Sequence, residues 1–400
     1  MGAGTGRVLV GMGAGAALGA VAWQLGVAAP IVTWAAAPIG QIWLNLLLAL
    51  LLPLASSALI LGMLGLDPKA LAHAGGRIVA LTLLLTGTAV LIGLAAAMIV
   101  QPGAGVDISA LPGGTVKPTT GSPIDLFVAQ VPKNVVAAAS GDNLLPVLVF
   151  CVLFGVALRS TQSEAAERVR ELVQGLFDVS VRAVDLWMAL APVGVGALMF
   201  RLTGNGGLAS LVPLAWFVAT VLGALSVQMF VVYPVVLRVF ARRDPLEFFR
   251  AVRPAMLVAF STASSAATLP ASIDAAENGL KLPSETARFV LTVGATGNQN
   301  GTALFEGLAV LFLAQLYGVD LGPAEQVAVI GVAVLGGIGT AGVPGGALGV
   351  IAAVCVTVGV PAEAIGVLLG VDRLLDMCRT TLNVTGDLVI AACTHVEPEG

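Results

Sequence analysis

The chain has 400 residues, 58% of them hydrophobic and 10% charged, with a formal net charge of −4 at pH 7. A soluble domain carries about 25% charged residues, and the mean hydropathy of +0.98 means that lipid must be the solvent for much of this surface. No basic patch interleaved with aromatics occurs, which argues against nucleic-acid binding. Cys151, Cys355, Cys378 and Cys393 lie in apolar stretches without a CxxC pair, and His73 and His395 are far apart. Packed thiols are expected here, not a disulfide or zinc framework.

A membrane-spanning helix needs about 20 apolar residues. The first candidate, 7–29, begins at Arg7 and runs through apolar sequence rich in Gly and Ala. It is long and lacks a clear small-residue cleavage site, so it reads as a span and not as a signal peptide. Gly and Ala let helices approach closely in lipid. Further spans are predicted at 38–66, 76–101, 143–160, 180–202, 208–240, 285–317 and 362–394, eight in all. The stretch 102–142, with Pro102, Pro112, Pro118, Pro123 and Pro132, reads as a polar loop or broken element. Glu164, Glu167, Arg168, Arg170 and Glu171 make 161–182 a helical extension into water or headgroups.

Charge orients these spans. Arg238, Arg242, Arg243, Arg250 and Arg253 form the densest basic cluster, which places their loop in the cytoplasm. Counting outward puts Arg7, Lys69, Arg77, Arg159, Arg168, Arg170 and both termini inside. The 102–142 loop, with only Lys117 and Lys133, falls outside.

Two segments do not fit simple spans. One is 255–280, with Ser261, Thr262, Ser264, Ser265, Thr268 and Pro270; the other is 325–358, with a glycine-rich break from Gly336 to Gly346 around Pro344. Each reads as two half-helices meeting at a tip, a re-entrant hairpin; two kinked Gly-rich spans are the plain alternative. Hairpin then span occurs at 255–317 and again at 325–394, entering from opposite sides. Broken helices at matching positions of inverted halves point to a transporter site near the midplane.

The last span carries Asp372, Asp376, Arg379, Asn383 and Asp387. At about 100° per residue these fall within an arc of about 80°. A charge at the bilayer centre costs at least about 2.5 kcal/mol, so the stripe must face a cavity or partners. A structural salt-bridge ladder is the other reading. The preceding span is interrupted by Gly294-Ala295-Thr296-Gly297-Asn298-Gln299-Asn300-Gly301-Thr302. Amide oxygens and unwound carbonyls there suit a hard cation. Glu306 follows Thr302 on the same face.

These motifs, in this order and spacing over nearly the whole chain, resemble the glutamate transporter family of dicarboxylate/amino acid:cation symporters. The resemblance implies an all-α polytopic membrane protein with eight transmembrane helices and two re-entrant helical hairpins in inverted repeats. It also implies a homotrimer in the cell (inner) membrane. Each protomer would have a scaffold (1–75 and 102–207) and an elevator-like transport domain (76–101 and 208–400). By position, Arg379 would pair with a substrate side-chain carboxylate and Asp376 with its amino group. Asn383, Thr302, Thr380 and the backbone at Ser264, Ser265 and Gly342 would complete the substrate site. Gly294, Asn298, Asn383 and Asp387 would form one sodium site. Thr296 with Gly337, Ile338 and Thr340 would form a second.

The chain departs from the family at a third, deep sodium site. Gln299 and Asn300 stand where Met and Asp are usual, and Thr82, Leu85 and Thr86 stand where an aromatic and two hydroxyl residues are usual. Glu306 occupies the position where proton-coupled members carry an acid, so Na+ at one or two sites, H+, or both are the expected coupling ions. It serves as proton carrier or merely hydrogen-bonds. The expected function is secondary active uptake of glutamate or aspartate. A C4-dicarboxylate carrier is disfavoured by Asp376, which would repel a substrate lacking an ammonium group. An anion-conducting channel is the reading from another class. A membrane enzyme is disfavoured by the lack of a nucleophile–base pair at common depth.

Overall fold

The structure is a computed structural model that describes residues 3–65, 68–104, 131–140, 145–339 and 346–394. Among these residues every regular element is a helix. Among the described residues four helical stretches, Gly6–Gln24, Ala28–Leu61, Gly76–Val100 and Ala191–Ala241, are long and apolar enough to cross a membrane.

Helix α1 (Ala3–Gln24) lies along α6 (Ala191–Gly206) with almost no separation. A Cβ on Gly11 would stand 2.2 Å from the Pro192 carbonyl oxygen, and one on Gly15 2.0 Å from that of Gly196. The small residues that marked this run therefore allow backbone-to-backbone packing. Thr203 Oγ1 donates to the Ala16 carbonyl across the same seam at 2.9 Å.

Helix α2 (Ala37–Gly65) packs on α4 (Leu145–Ser160) and α5 (Glu164–Met188), and α3 (Pro68–Val100) packs on the buried centre. Ser163 caps α5 by accepting from Ala166 N at 3.1 Å, and Glu164 and Glu167 fill its first turn. This is the predicted polar extension, but it does not end where predicted. The span expected at 180–202 is two helices, because α5 stops at Met188 and α6 restarts with Pro192 in its first turn. Proline offers no N–H to continue the ladder. Trp43 Nε1, at 3.2 Å, takes up the Trp187 carbonyl at the break.

Helix α7 (Val212–Val227) continues through wider turns to Ala241, ending at Arg242 with φ +52°. Asp244 then caps α8 (Pro245–Thr262), accepting from Leu246 N and Glu247 N at 2.9 and 3.0 Å. Helix α8 thus starts about ten residues before the segment predicted as the first hairpin. It stops at Ala263 (φ +50°), and Ser264 caps α9 (Ser265–Asp274). The expected helix–tip–helix is therefore present at 263–264.

Helices α10 (Ser284–Gly297) and α11 (Asn300–Leu316) are separated at Asn298-Gln299, as the amide-rich motif predicts. Helices α12 (Pro323–Gly339) and α13 (Gly346–Thr357) flank the glycine-rich tip; 340–345 lies outside the described residues, as does most of 102–142. A short 3-10 stretch, Ala362–Val367, leads into α14 (Leu369–Thr394), which packs against α8, α10 and α11. Cys151, Cys355 and Cys393 are buried and free, and Cys378 is half-buried and free. The side chain of His73 and the whole of His395 lie outside the described residues.

Candidate functional site

The polar stripe of α14 faces the break between α10 and α11. Its upper part is an arginine between two carboxylates. Arg379 is 1% exposed, and its Nη2 donates to Asp372 Oδ1 at 3.1 Å and to Asp376 Oδ1 at 2.9 Å. The spacings of seven and three residues put all three on one helix face. Phe305 of α11 lies under the guanidinium, with Cζ 3.9 Å from the ring centroid. Arg379 Nε and Nη1 have no hydrogen-bond partner among the described residues. A buried donor left unmade costs about 1–3 kcal/mol, and more for a charged group. A planar anion such as a carboxylate offers the acceptors that these donors lack.

Lower on the stripe, Asn383 stitches α14 to the break. Its Nδ2 donates to Thr302 Oγ1 at 3.1 Å and to Gln299 Oε1, while its Oδ1 accepts from Gly301 N at 2.7 Å. Asn383→Ala removes all three bonds and strands the Gly301 N–H. At about 1 kcal/mol per bond the expected loss is roughly 3 kcal/mol, read as a lower melting temperature in detergent. An unchanged melting temperature would show that these bonds contribute nothing net.

One turn on, Asp387 accepts from Asn298 Nδ2 at 2.7 Å, and both residues are buried. Asn298 Oδ1 has no partner among the described residues, and a Cβ on Gly294 would sit 2.5 Å from Asp387 Oδ1. Glycine is therefore needed for α10 to lie this close. One carboxylate, an unpartnered amide oxygen and a close backbone form an all-oxygen set that fits a sodium ion. For the second predicted ion site the structure gives less. Gly337 and Ile338 lie in the last turn of α12, while Thr340, Gly342 and the side chain of Thr296 lie outside the described residues.

Helices α8 and α9, on either side of the tip, both pack on α14. Ser265 is buried and Ser264 half-buried, with Ser264 Oγ accepting from Ala267 N at 3.2 Å. Thr380 and Thr302 are buried beside Arg379 and Asn383 in sequence and space. Glu306 is 1% exposed, and neither carboxyl oxygen has a hydrogen-bond partner among the described residues.

Three residues were missed from sequence. Phe305 looked like any apolar span residue. Tyr233 and Gln228 carry the signal that could have found them, since a phenol or amide inside a span must find a partner. Asn300 Nδ2 donates to Tyr233 Oη at 3.0 Å, and Tyr233 Oη donates to the Leu382 carbonyl at 3.1 Å. Thr86 Oγ1 donates to Asn300 Oδ1 at 3.3 Å, and Gln228 Nε2 to the Leu85 carbonyl at 3.1 Å. Every side chain in this network is neutral. It ties α3, the α7 extension, α11 and α14 together. Leu85 is fully buried and presents only carbon, and Thr82 is half-buried.

The sodium:dicarboxylate symporter family model matches residues 5–396. The chain belongs to that family. The proton/sodium-glutamate symport protein of Bacillus caldotenax is 32% identical over 363 residues, covering 88% of this chain and 86% of that protein. The proton/glutamate-aspartate symporter of Escherichia coli is 32% identical over 373 residues, covering 90% and 85%. The excitatory amino acid transporter of Caenorhabditis elegans is 30% identical over 404 residues, covering 89% and 80%. Family membership and the long apolar helices together make this symporter a multi-pass membrane transporter whose described regular elements are all helices.

Proposed function

We propose that this symporter takes up glutamate or aspartate, driven by cation gradients. The observation that carries this reading is Arg379: sealed from solvent, held on one nitrogen by two carboxylates, and with Nε and Nη1 unanswered. A side-chain carboxylate of the substrate takes those donors. Its ammonium takes Asp376, whose other oxygen is only loosely paired with Arg373 at 3.7 Å. Thr302, Asn383, Thr380 and the Ser264-Ser265 tip would enclose the rest, and the backbone at Gly342 is the proposed cover from the other hairpin. The names of the bacterial relatives, which specify glutamate and aspartate, support the same substrate class.

Asp387, Asn298, Asn383 and Gly294 are the residues that would hold one sodium ion, whose charge would offset the buried carboxylate. Thr296, Gly337, Ile338 and Thr340 would hold a second. The neutral Asn300–Tyr233–Thr86 network offers no charge to a third, since a neutral amide offsets little of the cost of dehydrating a cation. Glu306 is the residue to carry a proton instead. The reading extends to eight spans, two re-entrant hairpins, scaffold and transport domains divided as above, an elevator movement, a homotrimer, and cytoplasmic termini in the cell membrane.

Proteoliposomes with sodium and proton gradients imposed separately test the coupling. Uptake should persist at least partly without sodium and should respond to a pH gradient. Glu306→Gln should abolish the pH response while leaving substrate binding largely intact. Strict sodium dependence with three ions per cycle, and no response to pH, would contradict both the proton role and the neutral network.

A further inference from the structure

The two arms that meet at the turn between α7 and α8 are rich in arginine. Residues 237–253 hold Arg238, Arg242, Arg243, Arg250 and Arg253 against Asp244 and Glu247. Asp244 is engaged in capping α8. Arg243 Nη1 donates to the Leu280 carbonyl at 2.8 Å, and Arg77 Nη2 donates to that of Phe240 at 2.9 Å. Elsewhere Arg288 pairs with Glu277 at 2.7 Å, and Arg170 pairs with Glu167. Arg238, Arg250 and Arg253 are different. All three are exposed, and none has a hydrogen bond or ion pair among the described residues.

Their neighbours are apolar and equally exposed. Leu246, Arg250, Arg253 and Leu257 recur at spacings of four, three and four, which puts them on one face of α8. Leu246 is 60% and Leu257 58% exposed; on the other arm Val239, next to Arg238, is 63% exposed. Such leucines would be poorly placed in open water. Unpaired guanidinium groups would be poorly placed in hydrocarbon. Both residue types are accommodated at the headgroup layer, and the apolar run ending at Ala241 brings the turn to that depth. A guanidinium grips a phosphate through parallel N–H bonds, and the basic sign favours the cytoplasmic leaflet.

We propose that Arg238, Arg250 and Arg253 bind the headgroup phosphate of an anionic phospholipid whose acyl chains run inward along Leu257, with Leu246 and Val239 at headgroup level beside the turn. The site rests on the chain being a membrane protein and not on the identity of the transported substrate. Because α8 packs directly on α14, the lipid braces a helix that backs the substrate site.

The test uses the full-length protein in nanodiscs, with phosphatidylglycerol in a phosphatidylcholine background. Retained lipid is counted by native mass spectrometry, so no transport readout is needed. Wild-type protein should retain phosphatidylglycerol preferentially, and high salt should weaken that preference. Each surface arginine contributes about 1 kcal/mol toward an anionic lipid, about fivefold in affinity. Arg250→Gln should therefore weaken retention about fivefold, and the triple Arg238→Gln/Arg250→Gln/Arg253→Gln variant should show no preference. Leu257→Ala, which keeps every charge, should lower retention of long-chain more than short-chain phosphatidylglycerol. A triple variant with wild-type preference overturns the proposal, and so does Arg250→Gln without effect should the triple variant not fold. Complete displacement of the lipid by millimolar inorganic phosphate would replace it with a free-phosphate site.

Discussion

Arg379→Ala should reduce glutamate and aspartate uptake by roughly two to three orders of magnitude. Removing one partner of a buried, hydrogen-bonded charge pair costs about 2–5 kcal/mol, much of it from the partner left behind. Here two carboxylates are left behind, Asp372 and Asp376, and Arg373 stands 3.7 Å from Asp376. Arg379→Lys separates charge from shape. It keeps the cation but loses the planar fork and the stacking on Phe305, so it should recover folding while recovering little uptake. Size-exclusion profiles beside the uptake assay distinguish a misfolded variant from a folded, inactive one. Folded Arg379→Ala protein with wild-type aspartate affinity would remove Arg379 from the substrate site.

Gly15→Leu should cost about 3 kcal/mol or more of stability. Overpacking a core costs about 1–3 kcal/mol when neighbours can move, but here the obstacle is the Gly196 carbonyl, 2.0 Å from the new Cβ. Backbone cannot rotate away as a side chain can, so α1 must lift off α6. Gly13 is the internal control, because a Cβ there meets nothing within 4 Å. Gly13→Leu should leave the heat-resistant fraction of purified protein near wild type, and Gly15→Leu should lower it sharply. Equal behaviour of the two variants would refute the close seam.

The parts of this molecule that were legible in sequence are those where a residue contradicts its surroundings. Charges at 372, 376, 379 and 387 stand out in an apolar span, and the structure puts Asp372, Asp376 and Arg379 in one cluster. The amides at 298–300 stand out likewise, and the helix breaks there. What was not legible lacks contrast. Phe305 is one more apolar residue until the guanidinium lies against it. The division at Met188 was hidden because hydropathy runs on across it and Pro192 alone does not distinguish a kink from a restart. The start of α8 was hidden by the arginines around Asp244-Pro245, which looked like loop. Asn300 was recognised as an unusual residue, but its hydrogen bond to Tyr233 depends on tertiary placement across 67 positions of chain.

Helix α11 shows what enclosure does. Residues 300–314 and 316 are all buried, so protein surrounds this helix on every side. Its 17 residues rise about 25 Å at 1.5 Å each, less than the hydrocarbon thickness of about 30 Å. A lipid-facing helix of that length would thin the bilayer or tilt. This one touches no acyl chain, so bilayer thickness exerts no direct force on it. Thicker or thinner membranes act on exposed faces such as those of α1 and the α7 run, where Leu18, Val21, Trp216 and Phe230 lie open. Changes in bilayer composition would then reorient the outer helices, while the packing of Phe305, Glu306 and Thr302 against α14 would stay as it is.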